Sequence, residues 1–592
     1  MKKTTKKIIS IILCLALVMG IGCTGVYAAE SNPVTSIVEK ESSYIDSVAK
    51  QTIDTAEDYI EKAIPTVTGL FAGMAPLSSW DNFLDNVMKF LYNLLNVITE
   101  ALVKAITIVY PNPSEWKDES ENTGADILTG DTVYRTAPAA GAYWSLGYSS
   151  RSVIPDDFEA GKYYLGRDLL NKKAQGIYDD MRIRIVALDD NSGDGICILG
   201  ALDCLGITST DTRAIRNAVA DYCKTKGIKV QTVDICATHC HSALDTQGVS
   251  TEFFYKLLAN GFNNFFEIFD ELPGLEPATK FKEYFIEQSI IACEEAIADI
   301  EPGRLFYDVV DSSDYVQDKR DLVAKENLPP IVCFKFVPDS GSEDTYFANV
   351  TCHPTSNSAS HEYVNSDYPY YVDKYVQDNA GANFMLFQGA LGQVSRDISV
   401  DETGMTEYES WGADARALGQ YFGEDIITAE YEKELKPIIN VKHAEIMNAP
   451  ENSILALACM VKLVNNPVYY TENGPAISSE IGYLELGHEV GFAMFPGEFY
   501  PETFWGTDIT GGANWDGTEW RYPSLHNSVD GVDVYCISLC DDATGYVVPD
   551  NYFAFMGHII GEEIADETLS VGKHQASFLI GNYLDLVNDF TK

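Results

Sequence analysis

Basic residues are scarce in this chain. Against 88 Asp and Glu there are 41 Lys and Arg over 592 residues, a formal net charge of −47 at pH 7. Such a field repels polyphosphates and anionic headgroups, which excludes nucleic acid as an electrostatic partner and disfavours an acidic lipid surface. A disulfide framework is missing too. The cysteines beyond residue 28 are odd in number, eleven, and most sit inside apolar runs, where a thiol behaves as a small hydrophobe. A chain of this length needs no staples to hold a core. Cys236 to Cys240 and Cys536 to Cys540 share a C-x3-C spacing, wider than the paired spacing that structural zinc sites usually use. Neither an internal repeat nor a low-complexity tract is visible.

What is present begins with a hydrophobic share of 46%, which places the chain among globular proteins. Lys2, Lys3, Lys6 and Lys7 precede an apolar run from Ile8 to Ile21, and Val26-Tyr-Ala28 supplies small residues for cleavage. Residues 1–28 therefore read as a secretory signal peptide, cut near Ala28, and the protein as secreted or extracellular. Cys23 lacks the leucine three residues earlier that a lipoprotein signal requires, so release is expected rather than anchoring.

Residues 29–124 read as a helical amino-terminal segment and linker. Apolar residues recur at helical spacing from Val34 to Ile64, where Pro65 stops them. A second helix is expected from Asp81 to Tyr110. Its polar residues, Asp85, Lys89, Asn93, Asn96, Glu100, Lys104 and Thr107, form one narrow stripe, which disfavours a bilayer span. Such a helix either packs against the main domain or lies on a membrane and captures lipid, the one provision here for peripheral membrane contact.

From residue 125 to 592 strands and helices alternate, which predicts an α/β fold. Strands are expected at Ile183–Leu188 and Ile196–Leu202 around a hairpin, then at Ile331–Val337, Tyr346–Cys352, Phe384–Gln388, Glu489–Phe495 and Val532–Leu539. Helices are expected at Asp211–Lys226, with Gly227 as the stop, at Thr251–Phe269 and at Ala278–Ile300.

Chemistry gathers at the strand ends. The stretch from Val233 ends in His239-Cys-His241, and on an extended strand two histidines one residue apart share a face and can meet one object together. Tyr346–Cys352 runs into His353-Pro354, Glu489–Phe495 into Pro496-Gly-Glu498, and Val532–Cys540 into Asp541 through Tyr546. Phe384–Gln388 runs into a turn with two glycines, able to present the hydroxyl of Ser395 outward. Each residue alone also has an ordinary reading: His353 as a strand-end donor, Glu498 as a solvated acid, Tyr546 as a core tyrosine, Ser395 as a turn residue. Together, two imidazoles with one or two oxygen ligands suit a hydrolytic Zn²⁺ that keeps a position open.

In these pieces the sequence resembles the neutral/alkaline non-lysosomal ceramidases. The matching stretches, in order, are Leu202-Asp-Cys-Leu-Gly206, Ala237-Thr-His-Cys-His-Ser242, Asn349-Val-Thr-Cys-His-Pro-Thr355, Phe387-Gln-Gly-Ala-Leu-Gly-Gln-Val-Ser395, Pro496-Gly-Glu-Phe499 and Gly545-Tyr-Val547. A closing stretch runs from Glu563 to Gly572. The resemblance implies a large domain of two packed β-sheets flanked by helices, preceded here by the short helical segment. It also implies a catalytic zinc on His239, His353, Glu498 and Tyr546, with His241 at the substrate or oxyanion. Ser395 takes the place of the family's proposed nucleophile, and Arg320 is the nearest match to an arginine upstream of the His-Pro motif. His558 stands near the family's second active-site tyrosine.

The implied activity is hydrolysis of the N-acyl amide of ceramide. Attack comes either from a water that the zinc activates or from Ser395; water is preferred, since no further histidine is placed by sequence to activate the serine. Some motif positions differ. His241-Ser-Ala-Leu244 replaces His-Ser-Gly-Pro, and Gln393-Val-Ser-Arg396 replaces Asp-Val-Ser-Pro. The resemblance does not extend to the family's carboxy-terminal β-sandwich. Because these differences surround the substrate more than the metal, two other readings stand beside it: a zinc amidase of the same fold acting on another N-acyl lipid or a cell-wall amide, and a non-enzymatic lipid-binding surface protein.

Overall fold

The computed structural model describes residues 117–118, 127–128, 130, 133–166, 172–252, 255–256, 274–320, 322–357, 362–460, 463–471, 474–506, 519–553 and 565–592. Residues 1–28, expected as a signal peptide, the two expected amino-terminal helices and His558 lie outside them, as does most of the helix expected at Thr251–Phe269.

Two sheets form the centre. The strands of the first are β1 (Trp144–Ser152), β2 (Arg182–Asp189), β3 (Ile196–Leu202), β4 (Val230–Ala237), β5 (Glu301–Val310), β6 (Ile331–Pro338), β7 (Thr345–Val350) and β8 (Asn383–Gln388). They lie in the order β8-β7-β6-β5-β1-β2-β3-β4, and Lys433–Glu434 adds to β5. Both ends of this sheet are parallel pairs, β3 with β4 and β7 with β8, while the middle is antiparallel. Each parallel pair is joined by a helix, α1 (Ser209–Lys226) and α3 (Asp367–Ala380), because parallel strands need a long crossover. Between them in sequence lies α2 (Glu276–Ala298), and α4 (Ala413–Thr428) follows β8.

The second sheet contains β9 (Ile439–Asn448), β10 (Val468–Thr471), β11 (Gly474–Leu486), β12 (Val490–Met494) and β13 (Asp533–Ile537), with Lys117–Asp118 beside β10. Here β12 and β13 are parallel, and the final helix α5 (Gln575–Phe590) closes the chain.

Side-chain alternation builds the layers. Along β3, Ile196, Ile198 and Leu202 face a core shared with α1 and α2, whereas Cys197, Leu199 and Ala201 face the second sheet. Val186 and Leu188 of β2, Phe334 of β6 and Phe347 of β7 meet Leu484, Phe492 and Ile537 across the sheet–sheet interface. The outer face of the second sheet is covered by α5 through Leu579, Ile580, Tyr583 and Val587, and α3 and α4 cover β6 to β8. The molecule is thus two packed sheets flanked by helices, as the family resemblance implies. Burial on both faces explains why these strands read as continuous apolar runs rather than as alternation.

One local expectation is corrected. β4 ends at Ala237, before the histidines, and His239 adopts φ 65°, the left-handed region that side chains with a Cβ rarely enter. His239 and His241 therefore share no strand face. A turn brings them together instead, pinned by Thr238 N–H donating to Leu202 O (2.9 Å) and Cys240 N–H donating to Cys204 O (2.9 Å).

Candidate metal centre

The candidate site stands where parallel strands end, the usual place for a crevice in such sheets. β4 delivers His239 and His241, β7 delivers His353, β12 delivers Glu498 and β13 delivers Tyr546. Gln388, the last residue of β8, ties these ends together. Its Nε2 donates to Thr238 O (2.9 Å), and its carbonyl accepts from Ser538 N–H (3.0 Å). Beyond β12 and β13, Glu498–Phe499 and Tyr546–Val547 form a short parallel pair with Glu498 in register with Tyr546. Gly545 sits at φ 83° and its absent side chain leaves room for the carbonyl of Leu569, so only glycine fits directly before Tyr546.

Two backbone carbonyls orient the imidazoles. His239 Nδ1 donates to Leu205 O at 2.7 Å, while His353 Nδ1 faces Leu391 O at 3.0 Å and Val394 O at 3.2 Å. A carbonyl only accepts, so in each ring Nδ1 carries the proton and the Nε2 lone pair is left for the other side. Both Nε2 atoms point at one carboxylate oxygen, Glu498 Oε2, at 3.2 Å from His239 and 3.1 Å from His353. The Tyr546 hydroxyl lies 3.5 Å from His353 Nε2. Burial opposes ionisation of Glu498, yet His239 and His353 hold its carboxyl well below the usual range. Burial likewise opposes a charge on His239, but Glu498 raises its pKa above the ordinary value.

Lone pairs aimed at a carboxylate need a cation or a proton between them. Nitrogen and oxygen donors converging in this number fit a zinc ion. His239, His241 and His353 each place a ring nitrogen within 4.8 Å of the others. A second buried cluster offers a contrast. Asp234, His443 and Asp541 converge in the same way, but Arg216 lies among them, 2.9 Å from Glu480, 3.3 Å from Asp541 and 3.8 Å from Asp234. That group carries its own cation in the sequence, whereas Glu498 is met by imidazoles alone among the partners that lower its pKa.

His241 stands apart from the convergence on Glu498. Its ring centre is 4.7 Å from that of His239 and 6.0 Å from that of His353, and its Nε2 is buried with no hydrogen-bond partner. Burial drives its pKa well below the ordinary value, and the neighbouring His239 and His353 reinforce the shift, so the ring is neutral.

The remaining predicted residues fall around this centre. Ser395 is 3% exposed, on a short strand Val394–Arg396 opposite Gln317, so it is buried rather than turned outward. Its neighbour Val394 supplies the carbonyl to His353 and also accepts from the His353 N–H at 2.8 Å. Arg320 is held by Glu567 (2.9 Å) and Asp566 (3.1 Å) and lies over the Tyr500 ring. Asp566 also accepts from the Tyr500 hydroxyl and from Gln393 Nε2. The carbonyls of Leu205 and Val394 carry no sequence signal and are invisible to motif reading. Tyr500 and Asp566, by contrast, stand in or beside stretches the motifs already mark.

No protein-family model matches the chain, and no curated protein matches it. Solved structures do. The crystal structure of neutral ceramidase from Pseudomonas aeruginosa superposes with a TM-score of 0.56 at 14% identity, over 75% of this chain and 74% of that one. A ceramidase complexed with C2 superposes with a TM-score of 0.53 at 14% identity, over 75% of each chain. The chain therefore has the fold of these ceramidase structures.

Proposed function

We propose that this protein is a secreted, zinc-dependent amidohydrolase acting on an N-acylated lipid, with ceramide as the first candidate. One observation carries the reading: two imidazoles with their protons fixed on backbone carbonyls aim free Nε2 atoms at a buried carboxylate with a tyrosine hydroxyl beside them. The shared fold with ceramidase structures, one of them complexed with C2, supports the substrate class.

His239, His353, Glu498 and Tyr546 would hold the ion. Zinc bound there supplies Lewis acidity to a carbonyl and acidifies water toward a pKa of about 7. The chain's own residues do the rest. Leu205 and Val394 fix the ring orientations, so the donor set is preorganised. Neutral His241, its Nε2 without a partner inside the protein, offers a hydrogen bond to the oxygen that gains charge when the amide carbon becomes tetrahedral. Arg320 is assigned a positioning role, since its guanidinium is already engaged by Asp566 and Glu567.

The replacements at Ala243-Leu244 and Arg396 favour testing other N-acyl amides beside ceramide. Wild type and His239→Ala are incubated with fluorescent ceramide and a panel of N-acyl amino lipids, and products are identified by mass. Release of fatty acid by wild type alone, abolished by a tight chelator, is expected. Equal turnover with and without the chelator would overturn the metal reading, and binding without turnover would leave a lipid-binding protein.

A further inference from the structure

We propose that Cys236 and Cys540 are joined by a disulfide bond in the mature protein, a covalent link between the two segments that lead to His239 and Tyr546. The two residues form an isolated antiparallel bridge at the seam of the two sheets. Its hydrogen bonds belong to the flanking residues: Ala237 N–H donates to Leu539 O at 3.0 Å, and Asp541 N–H donates to Ile235 O at 2.9 Å. Cys236 and Cys540 are thus a non-hydrogen-bonded cross-strand pair. In that position the Cα atoms lie about 4.5 Å apart and the side chains are at their closest. This is within the range of about 4.4–6.8 Å that a disulfide spans.

The side chains follow the backbone. Sγ of Cys236 and Sγ of Cys540 are 3.3 Å apart, and both residues are buried. Among the described residues this is the one thiol–thiol contact that the eleven cysteines make. The other nine serve as internal controls, small hydrophobes dispersed through the cores.

The oxidant is a small-molecule disulfide, such as oxidised glutathione, outside the cell. One protein thiolate attacks a reagent sulfur and releases one reagent thiol. The second protein thiolate then attacks the mixed disulfide at the protein sulfur and expels the second reagent thiol. Two protein thiols and one reagent disulfide become one protein disulfide and two reagent thiols. Exchange takes place while β4 and β13 dock, before the core closes over the sulfurs. Once closed, the core excludes thiol reductants. The amino-terminal segment that reads as a secretory signal delivers the chain to a compartment where such bonds form. The bond requires neither the metal nor the activity.

The test uses the wild-type chain folded and purified with oxidised glutathione present and no reductant. The protein is unfolded in N-ethylmaleimide, digested without reduction and analysed by mass spectrometry. The expected result is a linked peptide pair containing Cys236 and Cys540, two hydrogens lighter than the sum, absent after dithiothreitol, with the other nine cysteines alkylated. Recovery of Cys236 and Cys540 as alkylated free thiols, or linked to other cysteines, would overturn the proposal.

Discussion

At the scale of single residues, the distinction that matters is which nitrogen of each histidine is free. His239 and His353 spend Nδ1 on carbonyls and present Nε2 to Glu498, while His241 makes no bond to that carboxylate. His239→Ala and His353→Ala are therefore expected to lose bound zinc, measured by elemental analysis of purified protein. His241→Ala is expected to keep its zinc and to hydrolyse about 100-fold more slowly, the size of effect that one lost oxyanion donor gives. A His241→Ala protein without metal would show that all three imidazoles are ligands. Ser395→Ala is expected to stay within about threefold of wild type in kcat/KM, because among the described residues none of the three histidines hydrogen-bonds its hydroxyl. A loss of a thousandfold would make the serine the nucleophile.

At the scale of elements, the site is held by the loops and short pairings beyond the strand ends. Gly545→Ala drives a Cβ toward the carbonyl of Leu569 at a positive φ, and so displaces the Tyr546–Val547 pairing with Glu498–Phe499. Strain of this kind costs about 1–3 kcal/mol before the clash is counted. The variant should melt lower and bind zinc more weakly, read by calorimetry and by zinc titration. Arg216 of α1 reaches Glu480 of β11, Asp234 of β4 and Asp541 beyond β13, all buried, and so joins helix and both sheets. Removing it leaves carboxylates without their cation, and Arg216→Ala is expected to lose about 3–5 kcal/mol, checked by urea denaturation. Retained stability would show that those carboxyls hold protons instead. The same elements mark the limit of pattern reading. β3, β4, β6, β7, β8, β12 and β13 lie within a few residues of where apolar runs place them. β11 escapes, because its buried Ser478, Glu480 and Glu485 read as polar surface until Arg213, Arg216 and the hydroxyls of Tyr134 and Tyr483 supply partners. β1 and β5 escape as well, with Ser, Gly and Pro diluting the strand pattern.

For the whole molecule, buried carboxyls make stability depend on pH. Burial pushes Asp179 from 3.8 up to about 7, against the opposing bonds from Ser366 N–H and the Tyr371 hydroxyl. The folded state then holds a proton that the unfolded chain releases. Its contribution is complete below about pH 4 and is lost as pH rises through about 7, at a slope of up to about 1.4 kcal/mol per pH unit. The stability of wild type relative to Asp179→Asn should therefore fall from pH 4 to pH 7 and level off above it, measured by denaturation at each pH. A flat difference would mean that the carboxyl titrates alike in both states.

Sequence by itself determined the residue types at the strand ends and the alternation of strands and helices, because these rest on local periodicity and side-chain chemistry. It marked His239, His353, Glu498 and Tyr546 as a set, although about half the chain separates the first from the last. Only tertiary structure decided how they meet. The left-handed turn at His239 replaces the expected strand face, since the turn is imposed by bonds to Leu202 and Cys204 far back in the chain. Arg320 is drawn to Asp566 and Glu567, and Ser395 is buried, because both depend on which loop arrives from elsewhere. The histidine pair that looks symmetric in sequence is unequal in space, as carbonyls with no side-chain signature choose the nitrogen that each ring presents.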